Sequence, residues 1–156
     1  MNLSDIGKHC IWADRELATL FSSVTKKQFN EVPESTGRSL CDLVVHLLAG
    51  YEMVLGGDYM NVMNTYGQKE QSELLEIWKN AVEKFITAIE SDPSKSFTIT
   101  MDDGSKQEVT GQNYLLAYTD HSTYHRGQMV TTFKVITGQE AVSTDFYTYL
   151  TKKKTL

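Results

Sequence analysis

Two of the chain's four histidines, His121 and His125, stand four residues apart in the stretch Asp120-His121-Ser122-Thr123-Tyr124-His125-Arg126-Gly127-Gln128. On an α-helix, residues i and i+4 share a face roughly 6 Å apart along the axis, close enough for two imidazoles to reach one metal ion. A third imidazole would make the pair a site, and His46, between Leu43 and Leu47 on another helical stretch, is the best-placed donor. Three neutral imidazoles around one divalent ion leave room in the coordination sphere for water or substrate. Taken alone, the pair also fits two partly exposed side chains hydrogen-bonded to their neighbours, and His46 fits a satisfied core residue.

The residues around this trio narrow the chemistry. His121 and His125 share their face with Tyr118, Gln128 and Thr132, a polar column where core would otherwise run, so Gln128 and Tyr118 are candidate pocket residues. Asp42, four residues before His46, fits either a solvated carboxylate or one that orients the His46 ring through its free N–H. His9 lacks a partner on its own face and is expected at the surface or rim. Cys41 lies about 140° around the helix from His46 and points elsewhere. A metallopeptidase of the His-Glu-x-x-His type needs a glutamate after the first histidine, and here Ser122 holds that position. The Glu-x-x-His spacings of a di-iron bundle are also missing, which leaves one ion.

Four amphipathic helices are expected to position these groups. Leu3, Ile6, Cys10, Ala13, Leu17, Leu20 and Val24 alternate spacings of three and four, one stripe of a long helix that stops before Pro33. A second begins near Ser39 and carries Leu40, Leu43, Val44, Leu47, Leu48, Tyr51, Val54 and Leu55 until Gly56-Gly57 interrupts it. The polar stretch from Asp58 to Gln71 shows no clear period and reads as a long loop or a frayed helix end. Ser72 can cap a third helix with Leu75, Trp78, Val82, Phe85 and Ile89, ended by Ser91-Asp92-Pro93. Phe97, Ile99 and Met101 then alternate with threonines before Asp103-Gly104, the signal of a small hairpin. Thr110 is a natural N-cap for a fourth helix closed by Gly138, and Ser143 to Leu150 could form a final short turn that packs aromatics on the bundle.

Length and charge bound the rest. The 156 residues suit one domain, 1–156. Fifteen Lys and Arg against 20 Asp and Glu leave a formal charge of -5, so no global basic field would hold nucleic acid or an anionic membrane. Lys152 to Lys154 read as a solvated tail. Cys10 and Cys41, both within apolar stripes, are expected as reduced thiols. With no signal-peptide pattern at Met1-Asn2-Leu3-Ser4-Asp5 and no apolar run of about 18 residues, a soluble cytoplasmic protein is expected.

These features together resemble the DinB/YfiT-like family, damage-inducible four-helix bundles with a three-histidine metal site. The likeness spans nearly the whole chain: Trp12 to Leu17, Ser39-Leu40 through His46-Leu47-Leu48, the Asp103-Gly104 hairpin, His121 to Gln128, and Thr144-Asp145-Phe146. Its most specific part is His125-Arg126-Gly127-Gln128 after a histidine four residues earlier. The resemblance implies an all-α, up-down four-helix bundle with a small β-hairpin before the fourth helix. It implies His46, His121 and His125 as ligands of one divalent ion, zinc or nickel, with water or a substrate donor completing the sphere. Gly127 is then expected to permit close helix approach, Arg126 to pair with an acid such as Asp145, and Gln128 to line the pocket.

Family members of known activity resemble metal-dependent S-transferases and isomerases that use thiols such as bacillithiol, mycothiol or glutathione. The expectation for this chain is therefore a metal-dependent transferase joining a low-molecular-weight thiol, as cosubstrate, to a small electrophile. A hydrolase using metal-bound water, with Asp42 or Asp120 as weak candidate bases, is the enzymatic alternative. A non-catalytic metal- or ligand-binding stress-response module is the third reading. The resemblance further implies a homodimer.

Overall fold

A computed structural model of the chain describes residues 3–100 and 105–153. Its long helices are α1 (Leu3–Phe21), α3 (Leu40–Val54), α5 (Gln71–Ser91) and α6 (Gly111–Thr137), with short helices α2 (Lys26–Phe29), α4 (Tyr59–Tyr66) and α7 (Phe146–Lys153). Strands β1 (Ser96–Thr100) and β2 (Lys106–Thr110) pair antiparallel between α5 and α6, in a register running from Ser96 opposite Thr110 to Thr100 opposite Lys106. The all-α bundle with its hairpin is thus as the sequence implied. The Asp103-Gly104 turn lies outside the described residues.

Side-chain pairings give the direction of each helix. Cys10 meets Thr119, Asp14 meets Arg126 and Phe21 stacks near Phe133, so α1 and α6 run the same way. On the other side of α6, Tyr114 reaches Gly50, Tyr118 reaches Leu47 and His125 reaches His46, so α3 runs against it. Arg15 pairs with Glu83 and Phe21 stacks on Trp78, which sets α5 against α1 and therefore along α3. Parallel neighbours demand a connection that returns along the bundle, and the 15 residues of α3 span about 22 Å. The return contains α4.

The sequence reads that segment as a long loop or a frayed helix end, and the structure shows a separate short helix with its own cap. Asp58 caps it by accepting from the Asn61 N–H at 2.8 Å, and Tyr59, Val62, Met63 and Tyr66 turn one face toward the core. The spacing of those four side chains is helical, but it lasts only two turns amid Asn and Gly. A second short helix, α2, has a capping box: Thr25 and Gln28 bond reciprocally, each to the other's backbone N–H.

Local chemistry sets the other boundaries. Ser39 and Asp42 form a capping box at the start of α3. Helix α5 begins one residue before the expected cap Ser72, with Glu70 in the cap position. Thr110 caps α6 without a side-chain bond; instead the Gly111 and Gln112 N–H groups donate to the Lys95 and Pro93 carbonyls, each at 2.9 Å. Gly138 ends α6 in the left-handed region, at φ 68°. Close approach of α3 and α6 falls at Gly50, where an added Cβ would lie 2.1 Å from the Tyr118 hydroxyl oxygen, whereas Gly127 has nothing within 4 Å. The helix-approach role expected of Gly127 therefore belongs to Gly50. No helix among the described residues is long and apolar enough to cross a membrane.

Candidate metal centre

His46 projects from the half-buried edge of α3, and the antiparallel run of α3 and α6 sets it level with the His121/His125 turn. Each residue offers one ring nitrogen, and these three atoms all lie within 4.8 Å of one another. The Nε2 atoms of His46 and His125 are 3.1 Å apart. Two imidazoles bound to one ion at 2.0–2.1 Å, with angles between right and tetrahedral, would hold their nitrogens about 2.9–3.4 Å apart. The spacing fits an ion. His121 is exposed and has room to turn onto the same point.

The second nitrogen of two rings is already engaged. His125 Nδ1 lies 2.7 Å from Gln128 Oε1, and Gln128 Nε2 donates to the Tyr124 hydroxyl at 3.1 Å. Nδ1 of His125 is therefore the protonated nitrogen, and its Nε2 carries the lone pair a metal needs. His46 Nδ1 lies 3.2 Å from the Tyr59 hydroxyl, which can turn to donate or accept. Burial holds the pKa of His121 below its ordinary value, only partly opposed by Asp120. Burial lowers that of His125 too, opposed by the Gln128 bond and assisted by His121 and Arg38. Both shifts favour the neutral, ligating form.

Other expectations come out differently. Asp42 does not reach His46: its carboxylate accepts from Ser39 N–H and Oγ at 3.1 and 2.8 Å, because an exposed carboxylate at the third helical position completes the cap. Tyr118 lies beneath the site, its ring centroid 5.6 Å from that of His121, but its hydroxyl donates inward to the Leu47 carbonyl at 2.6 Å. Ser122 is wholly buried and donates to the Thr119 carbonyl, away from the histidines. His9, expected at the rim, is only 2% exposed: its Nε2 lies 2.8 Å from the Thr144 carbonyl oxygen, and Phe146 and Tyr149 pack on its ring. Helix α7 covers what would otherwise be an open face of α1.

Arg126 does not pair with Asp145. Its Nε donates to Asp14 Oδ1 at 2.8 Å, in a bridge with both side chains buried, and the Tyr51 hydroxyl donates to Asp14 Oδ2 at 2.5 Å. Burial opposes the charge on Arg126, but Asp14, Tyr51 and Cys10 together outweigh it and the pKa stands above its ordinary value. Asp145 instead caps α7, accepting from Ser143 and from Thr148; the Ser143 bond first, then those from Thr148, draw its pKa down to about 2. Sequence reasoning missed Asp14, although an acid beside Ala13 and four residues after Cys10 on a helical stripe marks a buried position. It also missed Tyr59, which the Asp58 cap and the spacing of Tyr59, Val62, Met63 and Tyr66 could have placed on a helix.

The fold and the site define a class: a four-helix bundle with an open group of three histidines, arranged as a metal site with no carboxylate in the cluster among the described residues. The chain belongs to the DinB family, whose model matches residues 1–155. It is similar in structure to a DinB-like protein, YjoA, from Bacillus subtilis, known from a crystal structure, with a TM-score of 0.61 and 18% identity over 90% of this chain and 97% of that one. No curated protein matches the chain.

Proposed function

We propose that the protein is a metal-dependent S-transferase that joins a low-molecular-weight thiol to a small electrophile. The observation that carries this reading is the convergence of three imidazoles, one nitrogen of each within 4.8 Å of the others, with Gln128 and Tyr59 on the far nitrogens of His125 and His46 and no carboxylate in the cluster among the described residues. A divalent ion held by His46, His121 and His125 supplies Lewis acidity that lowers the pKa of a thiol ligand. Thiol chemistry then needs no protein carboxylate: the acidified thiol would lose its proton to solvent, its sulfur would form the new bond to carbon, and the leaving group would depart with its electron pair. A hydrolase would want a general base, and of its two candidates Asp42 is consumed by the Ser39 cap while Asp120 is exposed to solvent. Gln128 and Tyr59 act by orienting the imidazoles, and Tyr118 by packing beneath His121.

Metal content and turnover test this together. Protein purified without a nickel column should carry close to one zinc or nickel per chain, and the His121→Ala, His125→Ala double variant should carry almost none. A panel of thiols with monochlorobimane should give conjugation, with release of chloride, that a chelator abolishes. Loss of metal without loss of conjugation would sink the reading. Ester or amide turnover in the absence of thiol would favour the hydrolase, and full metal occupancy with neither activity would favour a binding module.

A further inference from the structure

Beside the histidine group, α6 and the turn that leads into α3 enclose an open cleft of about 500 Å³, within the range of small-ligand sites. It shares a wall with the metal centre: Gln128, which holds His125, and Tyr124, which accepts from Gln128, both line it. The opposite wall is the 33–38 turn, where the Pro33 carbonyl accepts from the N–H groups of Thr36 and Gly37 at 3.1 and 2.8 Å. Gly37 takes a left-handed conformation at φ 67°, and Arg38 follows at the cleft. Among the described residues Arg38 has no carboxylate partner, although the chain carries an excess of acids. At the base of the cleft Thr132 is fully buried, and its hydroxyl has no hydrogen-bond partner in the protein.

We propose that this cleft is the subsite for the anionic end of the cosubstrate, with Arg38 as the anion anchor and Thr132 as a hydroxyl partner beneath it. The proposal rests on the thiol-transfer reading above for which end of the ligand faces the histidines. Guanidinium groups pair with carboxylate and phosphate through two parallel N–H donors, whereas an uncharged ligand end would leave Arg38 with nothing to bind. A buried hydroxyl without a partner is costly unless a ligand or water supplies one. Among the described residues no carboxylate lines the cleft, so an anion entering it meets the Arg38 guanidinium unopposed. The cosubstrate is accordingly a thiol whose far end carries a carboxylate or a phosphate. Arg38 is a binding and specificity residue here, not a member of the metal-holding set.

The test is calorimetric binding to the zinc-loaded full chain, with glutathione against its diethyl ester and coenzyme A against pantetheine. At least one anionic thiol should bind about tenfold or more tightly than its neutral counterpart, as expected for hydrogen bonds to a charged group. Whether glutathione or coenzyme A shows the larger ratio separates carboxylate from phosphate recognition. Arg38→Gln should erase that ratio with zinc content unchanged, and Arg38→Lys should restore part of it. A ratio preserved in Arg38→Gln, or no preference for either anionic thiol in the unaltered protein, overturns the proposal. Repeating the titrations with S-methylglutathione and with zinc withheld separates the two readings. An Arg38-dependent preference that ignores both changes keeps the subsite and discards thiol transfer. Metal-dependent thiol binding indifferent to Arg38 does the reverse.

Discussion

His125 and Arg126 are adjacent in sequence and about 100° apart on one helix, yet they serve opposite kinds of polar cluster. Arg126 turns inward, where Asp14 and Tyr51 from two other helices meet it and all three side chains are buried. His125 turns toward the open edge between α3 and α6, where two more imidazoles converge but offer one another only weak mutual partners. In the inward cluster Arg126 Nε and the Tyr51 hydroxyl share the one carboxylate of Asp14, which ties α1, α3 and α6 together. In the outward one Gln128 and the Tyr59 hydroxyl hold Nδ1 of His125 and His46 while the two Nε2 atoms face each other at 3.1 Å, an arrangement that lowers the cost of binding an ion rather than adding to the core. A polar group on a helix thus reports its role by whether its partners lie within the chain.

The contrast breaks most sharply at Asp14. Asp14→Ala would strand Arg126, whose Nη1 and Nη2 already lack protein partners, and should cost about 3–5 kcal/mol of stability, as for other severed buried pairs, measured by urea unfolding. An effect below about 1 kcal/mol would show that the inward cluster does not hold the fold. Outward changes should do the converse. Gln128→Leu removes the acceptor from His125 Nδ1 and should weaken metal affinity about 10- to 100-fold while leaving the urea midpoint of the metal-free protein close to unaltered. Tyr59→Phe should sit at the lower end of that range, because its bond to His46 is longer at 3.2 Å. The smallest effect concerns pH. Burial lowers the pKa of His9 below 6.5 despite the Thr144 bond, so below about pH 6.5 the unfolded chain takes up a proton that the folded chain resists. Stability should be full above that pH and fall as the pH drops through and below it. His9→Gln should flatten that part of a stability-against-pH curve.

Much of this was legible in the residues. The alternating threes and fours of α1, α3 and α5 marked helices because each buries one stripe, and Ser39 and Gly138 marked ends because their chemistry is local. The histidine trio was legible because two members share one helix and the third stands on an apolar edge. Asp14 and Arg126 could not be paired that way: 112 positions separate them, and only the parallel run of α1 and α6 brings them together. An acid such as Asp145 was the expected partner of Arg126, yet a carboxylate beside Ser143 and Thr148 has a nearer use as a cap. Arg38 carried no signal, since its meaning comes from the cleft and not from its neighbours in sequence.

Because α3 and α5 are parallel, the segment between them has to travel back past the histidines, and α4 crosses there with Val62 as its one buried side chain. So small a share of the core means that α4 can open while the four long helices stay folded. Tyr59 would then leave His46 without any loss of the bundle. Amide hydrogens of residues 59–66 should exchange well before those of α3 and α6, and bound metal, by favouring the closed segment through His46, should slow that exchange selectively. The rate at which an ion enters or leaves would then be set by the opening of one short helix and not by the imidazoles that hold it.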